Sequence, residues 1–119
     1  MKRVLIILIA AALCGTSFAE GWNSVSRFGY ERPATITTIM VQLISFLGPA
    51  GDLDTSVEGG NVVLVYTSRP QKDDSVNRVR VRLELAEVVD GRYTVIAQGE
   101  QYQCQQGRGQ QGFADTLCR

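Results

Sequence analysis

The sequence contains no histidine. This absence excludes Ser-His-Asp triads, Cys-His nucleophiles, histidine metal ligands and histidine pH switches. Carboxylate pairs, which cleave glycosidic bonds without histidine, are the enzymatic option that is left. The candidates all lie in predicted turns or connections, where carboxylates are usually solvated, so we expect no enzymatic activity, no catalytic residue and no cofactor. They are Asp52, Asp54, Glu58, Asp73 and Asp74.

An excess of charge of either sign is also missing. Twelve Lys and Arg residues balance twelve Asp and Glu residues among the 119 residues. Loss of Lys2 and Arg3 with an N-terminal leader would leave ten basic residues against twelve acidic ones, a net charge of −2. Non-specific nucleic-acid binding needs a strongly basic face. We therefore expect no nucleic-acid partner.

No apolar run reaches the roughly 20 residues that a membrane-spanning helix needs. The longest run, residues 4–13, follows two basic residues and precedes Ser17-Phe18-Ala19, which is typical of a secretory signal peptide. We predict that residues 1–19 are cleaved after Ala19, and that residues 20–119 form one periplasmic or secreted domain without a transmembrane segment. Lipidation at Cys14 is the alternative, but Leu13 stands where lipoprotein signals carry a small residue.

Cysteine is scarce as well. One of the three cysteines falls in the leader, which leaves Cys104 and Cys118. In an exported chain this pair predicts a disulfide, and closing a loop of about 15 residues stabilises a fold by roughly 3 kcal/mol. The enclosed residues are rich in Gln and Gly around Arg108. One hypothesis is that they form a rigid loop that presents Arg108 to a partner. The other is that the disulfide holds the C-terminus in place, with Phe113 and Leu117 packed on the sheet.

Apolar residues recur at helical spacing before Gly48-Pro49, a typical stop signal. Pro33 is compatible with the first helical position, so the pattern predicts a helix over residues 33–47. Its predicted apolar face consists of Ile36, Ile39, Met40, Leu43, Phe46 and Leu47. We predict that residues 20–32 form an extended segment before the helix, with a short strand at 24–29 as the alternative. The aromatic residues of this segment, which we expect to pack on the core, are Trp22, Phe28 and Tyr30.

Extended runs follow the helix. Two of them flank Gly59-Gly60, at residues 54–57 and 62–67. A long third strand starts at residue 75, and its arginines alternate with inward apolar residues. Asp90-Gly91 leads into a fourth strand that reaches Cys104. The sequence predicts a two-layer α+β sandwich, with one N-terminal helix packed on a four-stranded antiparallel meander and a disulfide-closed tail at 105–119.

The length of the Asp90-Gly91 connection decides which residues of the last hairpin share a face. A two-residue turn would place Glu100 beside Val81 on the buried face. A three-residue loop that begins one residue earlier, with Gly91 in the left-handed region, would place Glu100 opposite Arg80 on the outer face. We predict this second register because it keeps the buried face apolar.

Three arginines of the long strand, Arg78, Arg80 and Arg82, form a row on its outer face. Such a row binds anionic glycans, phosphates or acidic proteins. The alternative is a solvated face that Glu100 and Glu84 neutralise. Acidic residues within 52–58 also alternate as at the start of a calcium loop, but valines stand where that loop needs a glycine and a bidentate carboxylate. We predict no metal site.

These features predict a small exported, non-enzymatic binding protein. Its candidate binding residues are Arg108, Arg78, Arg80 and Arg82, and the expected partner is another envelope or extracellular protein or an anionic glycan. The alternative is a structural or accessory subunit of a cell-envelope assembly, in which the sheet edge or the side that carries Val63 and Val65 meets a partner. A small carboxylate-dependent hydrolase is the third hypothesis. The sequence predicts no oligomeric state.

Overall fold

The computed structural model describes residues 21–29 and 32–119. In this part of the chain one helix, α1 (Ile36–Leu47), accompanies five strands: β1 (Asn23–Ser24), β2 (Asp52–Glu58), β3 (Asn61–Thr67), β4 (Val76–Val89) and β5 (Arg92–Cys104). The predicted signal peptide, its cleavage site after Ala19, and Tyr30 lie outside the described residues.

The five strands form one antiparallel sheet in the order β1-β5-β4-β3-β2. The meander from β2 to β5 confirms the predicted α+β architecture. The predicted count of four strands is wrong, because Asn23 and Ser24 pair with Glu100 and Gly99 and add β1 to the edge of β5. The helix therefore follows a strand and is not the first element of the domain.

Helix α1 begins at Ile36, later than the predicted start at Pro33, because Thr35 is its N-cap. The Thr35 side-chain oxygen accepts a hydrogen bond from the Thr38 backbone N–H at 3.2 Å, and this satisfies one of the free donors of the first turn. The predicted end is confirmed. Gly48 has a φ of 93° and donates its N–H to the carbonyl of Ile44 at 2.7 Å.

The core lies between α1 and one face of the sheet, which we call the helix face. Ile39, Leu43 and Leu47 are buried there against inward residues of β3 and β4, namely Leu64, Tyr66, Val81, Leu83 and Leu85. Phe28 is also buried in this core, as predicted. Phe46 was expected to be buried but is 48% exposed. Its ring packs edge-on against Phe28, with the centroids 5.7 Å apart.

The β4–β5 hairpin closes through a two-residue turn, Asp90-Gly91, because Val89 pairs with Arg92. The predicted three-residue loop is therefore wrong, although Gly91 has the predicted positive φ, at 76°. Beyond the turn the register shifts by one residue between Glu87 and Val89, so Val88 is an extra residue in β4.

A second irregularity sets the faces of β5. Ile96 is an extra residue in this strand, since the register shifts between Val95 and Ala97. Such a bulge moves every later residue to the opposite face of the sheet. This shift cancels the one between Glu87 and Val89, so Glu100 lies opposite Val81 on the helix face and Gln101 lies opposite Arg80, as in an unbulged hairpin with a two-residue turn. The predicted pairing of Arg80 with Glu100 is wrong.

The bulged register is stable because the buried polar groups of β5 find partners in residues 21–29. The Gln98 Oε1 accepts hydrogen bonds from the backbone N–H groups of Arg27 and Phe28, both at 2.9 Å. The carboxylate of Glu100 accepts from the Arg27 guanidinium, and also from the Tyr102 hydroxyl at 2.9 Å. Buried polar groups cost little once they are hydrogen-bonded, so the polar residues do not exclude this register.

Candidate functional site

Strand β4 places three predicted site residues, Arg78, Arg80 and Arg82, on the sheet face opposite the helix, which we call the outer face. Their positions follow from the alternation of side chains along a strand, since Val81 and Leu83 between and beside them belong to the core. Successive arginines are two residues apart, about 7 Å along the strand. Their environments on this face differ.

Arg82 is neutralised within the protein. Its Nη2 lies 2.9 Å from the Oε1 of Glu58, and its Nη1 lies 3.7 Å from the Oε1 of Glu84. The side chain is only 8% exposed. Arg82 thus holds β2 against β4 and offers few donors to a ligand.

Arg80 faces an amide instead of a carboxylate. Its Nε and Nη2 both donate to the Oε1 of Gln101, the former at 3.1 Å. The guanidinium carbon also lies 4.3 Å from the ring centroid of Phe113 and 5.4 Å from that of Trp22, within the range of cation–π contacts. Because Gln101 is uncharged, these contacts orient the guanidinium without neutralising it.

Arg78 has a similar environment. Its Nε donates to the Oε1 of Gln103 at 3.0 Å, and its guanidinium carbon lies 5.5 Å from the Phe113 centroid. Burial lowers the pKa of Arg80, and the positive charge of Arg78 lowers it further, while Asp54 acts in the opposite direction. Arginine is a cation in proteins, so the two side chains repel each other. Neither forms an ion pair within the described residues.

We call this site, made of Arg78, Arg80, Trp22 and Phe113, the arginine–aromatic surface. Trp22 comes from the N-terminal segment and directly precedes β1, whose Asn23 pairs with Glu100. The Gln101 Nε2 donates to the carbonyl of Gly21 at 2.8 Å and fixes the same segment. Trp22 was expected to pack on the core, but it contacts Arg80 on the outer face.

Phe113 comes from the C-terminal tail. Ala114 next to it forms a β-bridge with Tyr102, with N–O distances of 2.7 and 3.1 Å. The predicted disulfide between Cys104 and Cys118 is confirmed, with their Cα atoms 5.5 Å apart. The tail therefore lies along the end of β5 and carries Phe113 over the arginines. Leu117, which was also expected to pack on the sheet, is 68% exposed.

Glutamine side chains hold the tail together. The Gln110 Nε2 donates to the carbonyls of Tyr102 and Thr116, at 3.0 and 2.8 Å. The Gln105 Nε2 donates to the carbonyl of Asp73 at 3.0 Å, and the Gln103 Nε2 to that of Gln111 at 3.0 Å. These amide groups satisfy backbone carbonyls of an irregular segment, so they are internal contacts of the protein.

Gly109 is required by the closeness of the tail to the disulfide. A Cβ at this position would lie 2.8 Å from the Cys104 Sγ, and the φ of 141° is one that other residues rarely adopt. Arg108 beside it is exposed, and its backbone bonds to Gln105 and Arg119. The structure does not bring Arg108 into contact with the arginine–aromatic surface, and its proposed binding role stays a prediction.

The carboxylates considered for catalysis have structural surroundings. Asp73 accepts hydrogen bonds from the backbone N–H groups of Val76 and Ser75, at 2.9 and 2.8 Å, and these bonds lower its pKa. Glu58 pairs with Arg82. Within residues 21–29 and 32–119, no cluster of three or more His, Cys, Asp or Glu side chains could hold a metal ion.

The contact of Trp22 with Arg80 and the buried position of Glu100 were not predicted from the sequence. Phe113 packs on the sheet, as one of the two hypotheses for the tail predicted, but its contact with Arg78 and Arg80 was not predicted. The alternation of Gln98, Glu100 and Tyr102 was a usable signal, because a two-residue turn places all three on the helix face. No helix in the described part of the chain is both long and apolar enough to cross a membrane.

A scan against protein-family models finds no match for this chain, and searches of curated proteins and of solved structures find none either.

Proposed function

We propose that the protein is a small exported binding protein, without enzymatic activity, that holds an anionic glycan on the arginine–aromatic surface. The observation that carries this proposal is the pairing of Arg78 and Arg80 with Gln103 and Gln101. The carboxylate of Glu100, which would have neutralised the row, lies on the opposite face of the sheet. An anion between the two guanidinium groups would relieve their mutual repulsion.

Charge and geometry support an anion as the ligand. Each guanidinium has five N–H donors, and intramolecular bonds use only Nε of Arg78 and only Nε and Nη2 of Arg80. The remaining donors suit sulfate or carboxylate groups, which accept paired N–H bonds from arginine. Because both arginines contact aromatic rings, their orientation is fixed before binding, and this lowers the entropic cost of association.

The spacing of the two arginines favours an extended acidic polysaccharide. The two arginines lie about 7 Å apart along one strand, so a linear polyanion could contact both with successive acidic groups. The half-buried rings of Trp22 and Phe113 offer apolar area beside them for sugar C–H groups.

Export rests on the leader pattern of residues 1–19, and the Cys104–Cys118 bond supports it because disulfides persist outside the reducing cytosol. Mass spectrometry of the mature protein tests this part. We expect a chain that starts at Glu20; a chain that starts at a lipidated Cys14 would contradict it.

Calorimetric titration with a sulfated oligosaccharide such as a heparin fragment tests the binding function. We expect saturable binding that weakens as salt rises, because the charges are at the surface. An Arg78→Gln/Arg80→Gln double variant should bind at least about tenfold more weakly, since it loses two charge-assisted contacts. Arg108→Gln is the matched control and should bind like the wild type. Equal affinity of the double variant and the wild type would refute the proposed site, and selective loss in Arg108→Gln would favour the tail.

A further inference from the structure

The two long edges of the sheet differ in how they are covered. Along the outer edge of β5 lie β1, the Val25 N–H bonded to the Gln98 carbonyl at 3.2 Å, and β-bridges from Ala34 and Ala114. The opposite edge is β2. Among the backbone hydrogen bonds of the described residues, none reaches the outer side of β2. One edge is protected and the other is open.

Strand β2 lacks most of the features that usually protect an open edge, and its three carboxylates are the exception. It has seven residues, DLDTSVE, without proline or lysine, and it pairs with β3 without a bulge. All of its residues except Leu53 are exposed. Long regular edges of this kind are templates for another strand, because their backbone donors and acceptors have no partner.

On the helix face, β2 borders an apolar groove. The groove is open and has a volume of about 370 Å³, and α1 begins beside it without covering it. Val57 is 70% exposed there. Its lining residues are Ile36, Thr55, Ser56, Val57, Val62 and Leu64. A strand added to β2 would place every second side chain on the helix face, and those beside residues 55–57 would enter this groove, so apolar side chains there would gain burial.

On the outer face, β2 is acidic. Asp52, Asp54 and Glu58 alternate with the residues that face the groove. Glu58 is paired with Arg82, whereas Asp52 and Asp54 form no ion pair within the described residues. The other side chains of an added strand would lie next to these two carboxylates. Lysine or arginine would be stabilised there, and acidic residues would be repelled.

This charge argues against a second copy of the chain as the occupant. Pairing β2 with another β2 would bring the carboxylates of Asp52, Asp54 and Glu58 near those of the copy, since one face of both strands is acidic. We propose that β2 is a docking edge for an extended segment of another protein, in which apolar residues alternate with Lys or Arg. This binding would use strand addition and is independent of the arginine–aromatic surface.

The test uses a blocked seven-residue peptide of alternating lysine and valine, matched in length to β2. NMR titration of the intact mature protein should show saturable binding, with slower hydrogen exchange at the outward amides of β2. An Asp52→Asn/Asp54→Asn double variant should bind about threefold to tenfold more weakly, because two cross-strand charge pairs are lost. An Asp74→Asn/Asp115→Asn variant makes the same change in net charge at exposed positions elsewhere and should bind like the wild type.

A Val57→Ser variant tests the groove and should also weaken binding of the lysine–valine peptide. A peptide of alternating glutamate and valine should bind more weakly than the lysine peptide. The proposal is overturned if the two peptides bind equally well or if protection appears outside β2. It is also overturned if the wild type dimerises through β2 in sedimentation experiments and binds neither peptide. That result would identify a second copy of the chain as the occupant.

Discussion

Glu100 carries a carboxylate into the interior, where only 1% of the residue is exposed. The Arg27 guanidinium and the Tyr102 hydroxyl compensate for its burial. Asn23 extends the cluster by donating from Nδ2 to the Tyr102 hydroxyl oxygen at 3.0 Å. These contacts attach the N-terminal segment to β5, and the same attachment places Trp22 beside Arg80.

Removing Arg27 should destabilise the fold. An Arg27→Ala variant leaves the buried carboxylate with the Tyr102 hydroxyl alone and also removes the cation–π contact with Phe46. We expect the free energy of unfolding to fall by about 2 kcal/mol, as measured by urea denaturation. Arg92→Ala, at an exposed position, is the control and should stay within about 0.5 kcal/mol of the wild type. Equal effects of the two substitutions would contradict a structural role for the cluster.

The same cluster predicts a loss of stability at alkaline pH. Burial raises the pKa of the Tyr102 hydroxyl above its ordinary value of 10.0; the Asn23 hydrogen bond opposes this shift, and Glu100 adds to it. The folded protein therefore holds this proton more tightly than the unfolded chain. Its contribution to stability is complete below the ordinary tyrosine pKa and is lost as the pH rises through the raised folded pKa.

Urea denaturation at a series of pH values between about 9 and 11 checks this effect, since tyrosines ionise in that range. A Tyr102→Phe variant should lose stability less steeply across the range than the wild type. Identical slopes for the two proteins would show that Tyr102 does not have a raised pKa in the folded state.

At the scale of the elements, the parts of the fold that sequence reasoning predicted are encoded by neighbouring residues. The helix ends at Leu47 because Gly48 follows, and Gly59-Gly60 forms the turn between β2 and β3. The start of α1 was misplaced because Thr35 is a better N-cap than the sequence around Pro33 suggested. Local signals of this kind predict that an element is present more reliably than they predict its first residue.

The register beyond Ile96 was predicted wrongly because the hairpin was considered by itself. The alternation of side chains in β4 and β5 favoured the register that keeps the buried face apolar. The polar side chains of Gln98 and Glu100, however, find their partners in Phe28 and Arg27, at least 70 residues away in sequence. The free energy that selects the bulged register therefore comes from a segment outside the hairpin. The same limit explains why β1 was missed as a fifth strand.

Only part of the candidate site could be predicted, because only part of it depends on local sequence. Alternation along β4 places Arg78 and Arg80 on the outer face, and this needs only local sequence. Trp22 and Phe113 reach the arginines from opposite ends of the chain, so no local pattern links them. Arg82 fits the same alternation, yet Glu58 of β2 holds it in an internal pair.

The tail should depend on its disulfide for both stability and position. In a Cys104→Ser/Cys118→Ser variant, we expect the free energy of unfolding to fall by about 3 kcal/mol, because the unfolded chain without the cross-link gains conformational freedom. Hydrogen exchange should accelerate at residues 105–119 more than in β3 and β4. Affinity for the sulfated oligosaccharide should also fall, since Phe113 is no longer held over Arg80. Unchanged exchange in the tail would show that the glutamine hydrogen bonds suffice without the disulfide.

At the scale of the whole molecule, acidic and basic residues are equal in number but lie in different regions of the surface. The full sequence has a net charge of 0, but the outer face of the sheet carries two unpaired guanidinium groups on β4 and an acidic edge on β2. Arg82 and Glu58, which belong to the same two strands, neutralise each other. Under the two proposals above, surfaces of opposite charge on one face would let one small domain bind an anionic glycan and a basic strand at the same time.

The central claim is that Arg78 and Arg80 form one anion-binding surface because glutamines, and not carboxylates, lie opposite them. NMR detection of arginine side-chain Nε–H groups during titration with a heparin fragment tests this most directly. The Nε–H signals of Arg78 and Arg80 should shift together and saturate at one affinity, while those of Arg82 and Arg108 stay in place. A response confined to Arg108, or no response of Arg78 and Arg80 at saturating ligand, would contradict the claim.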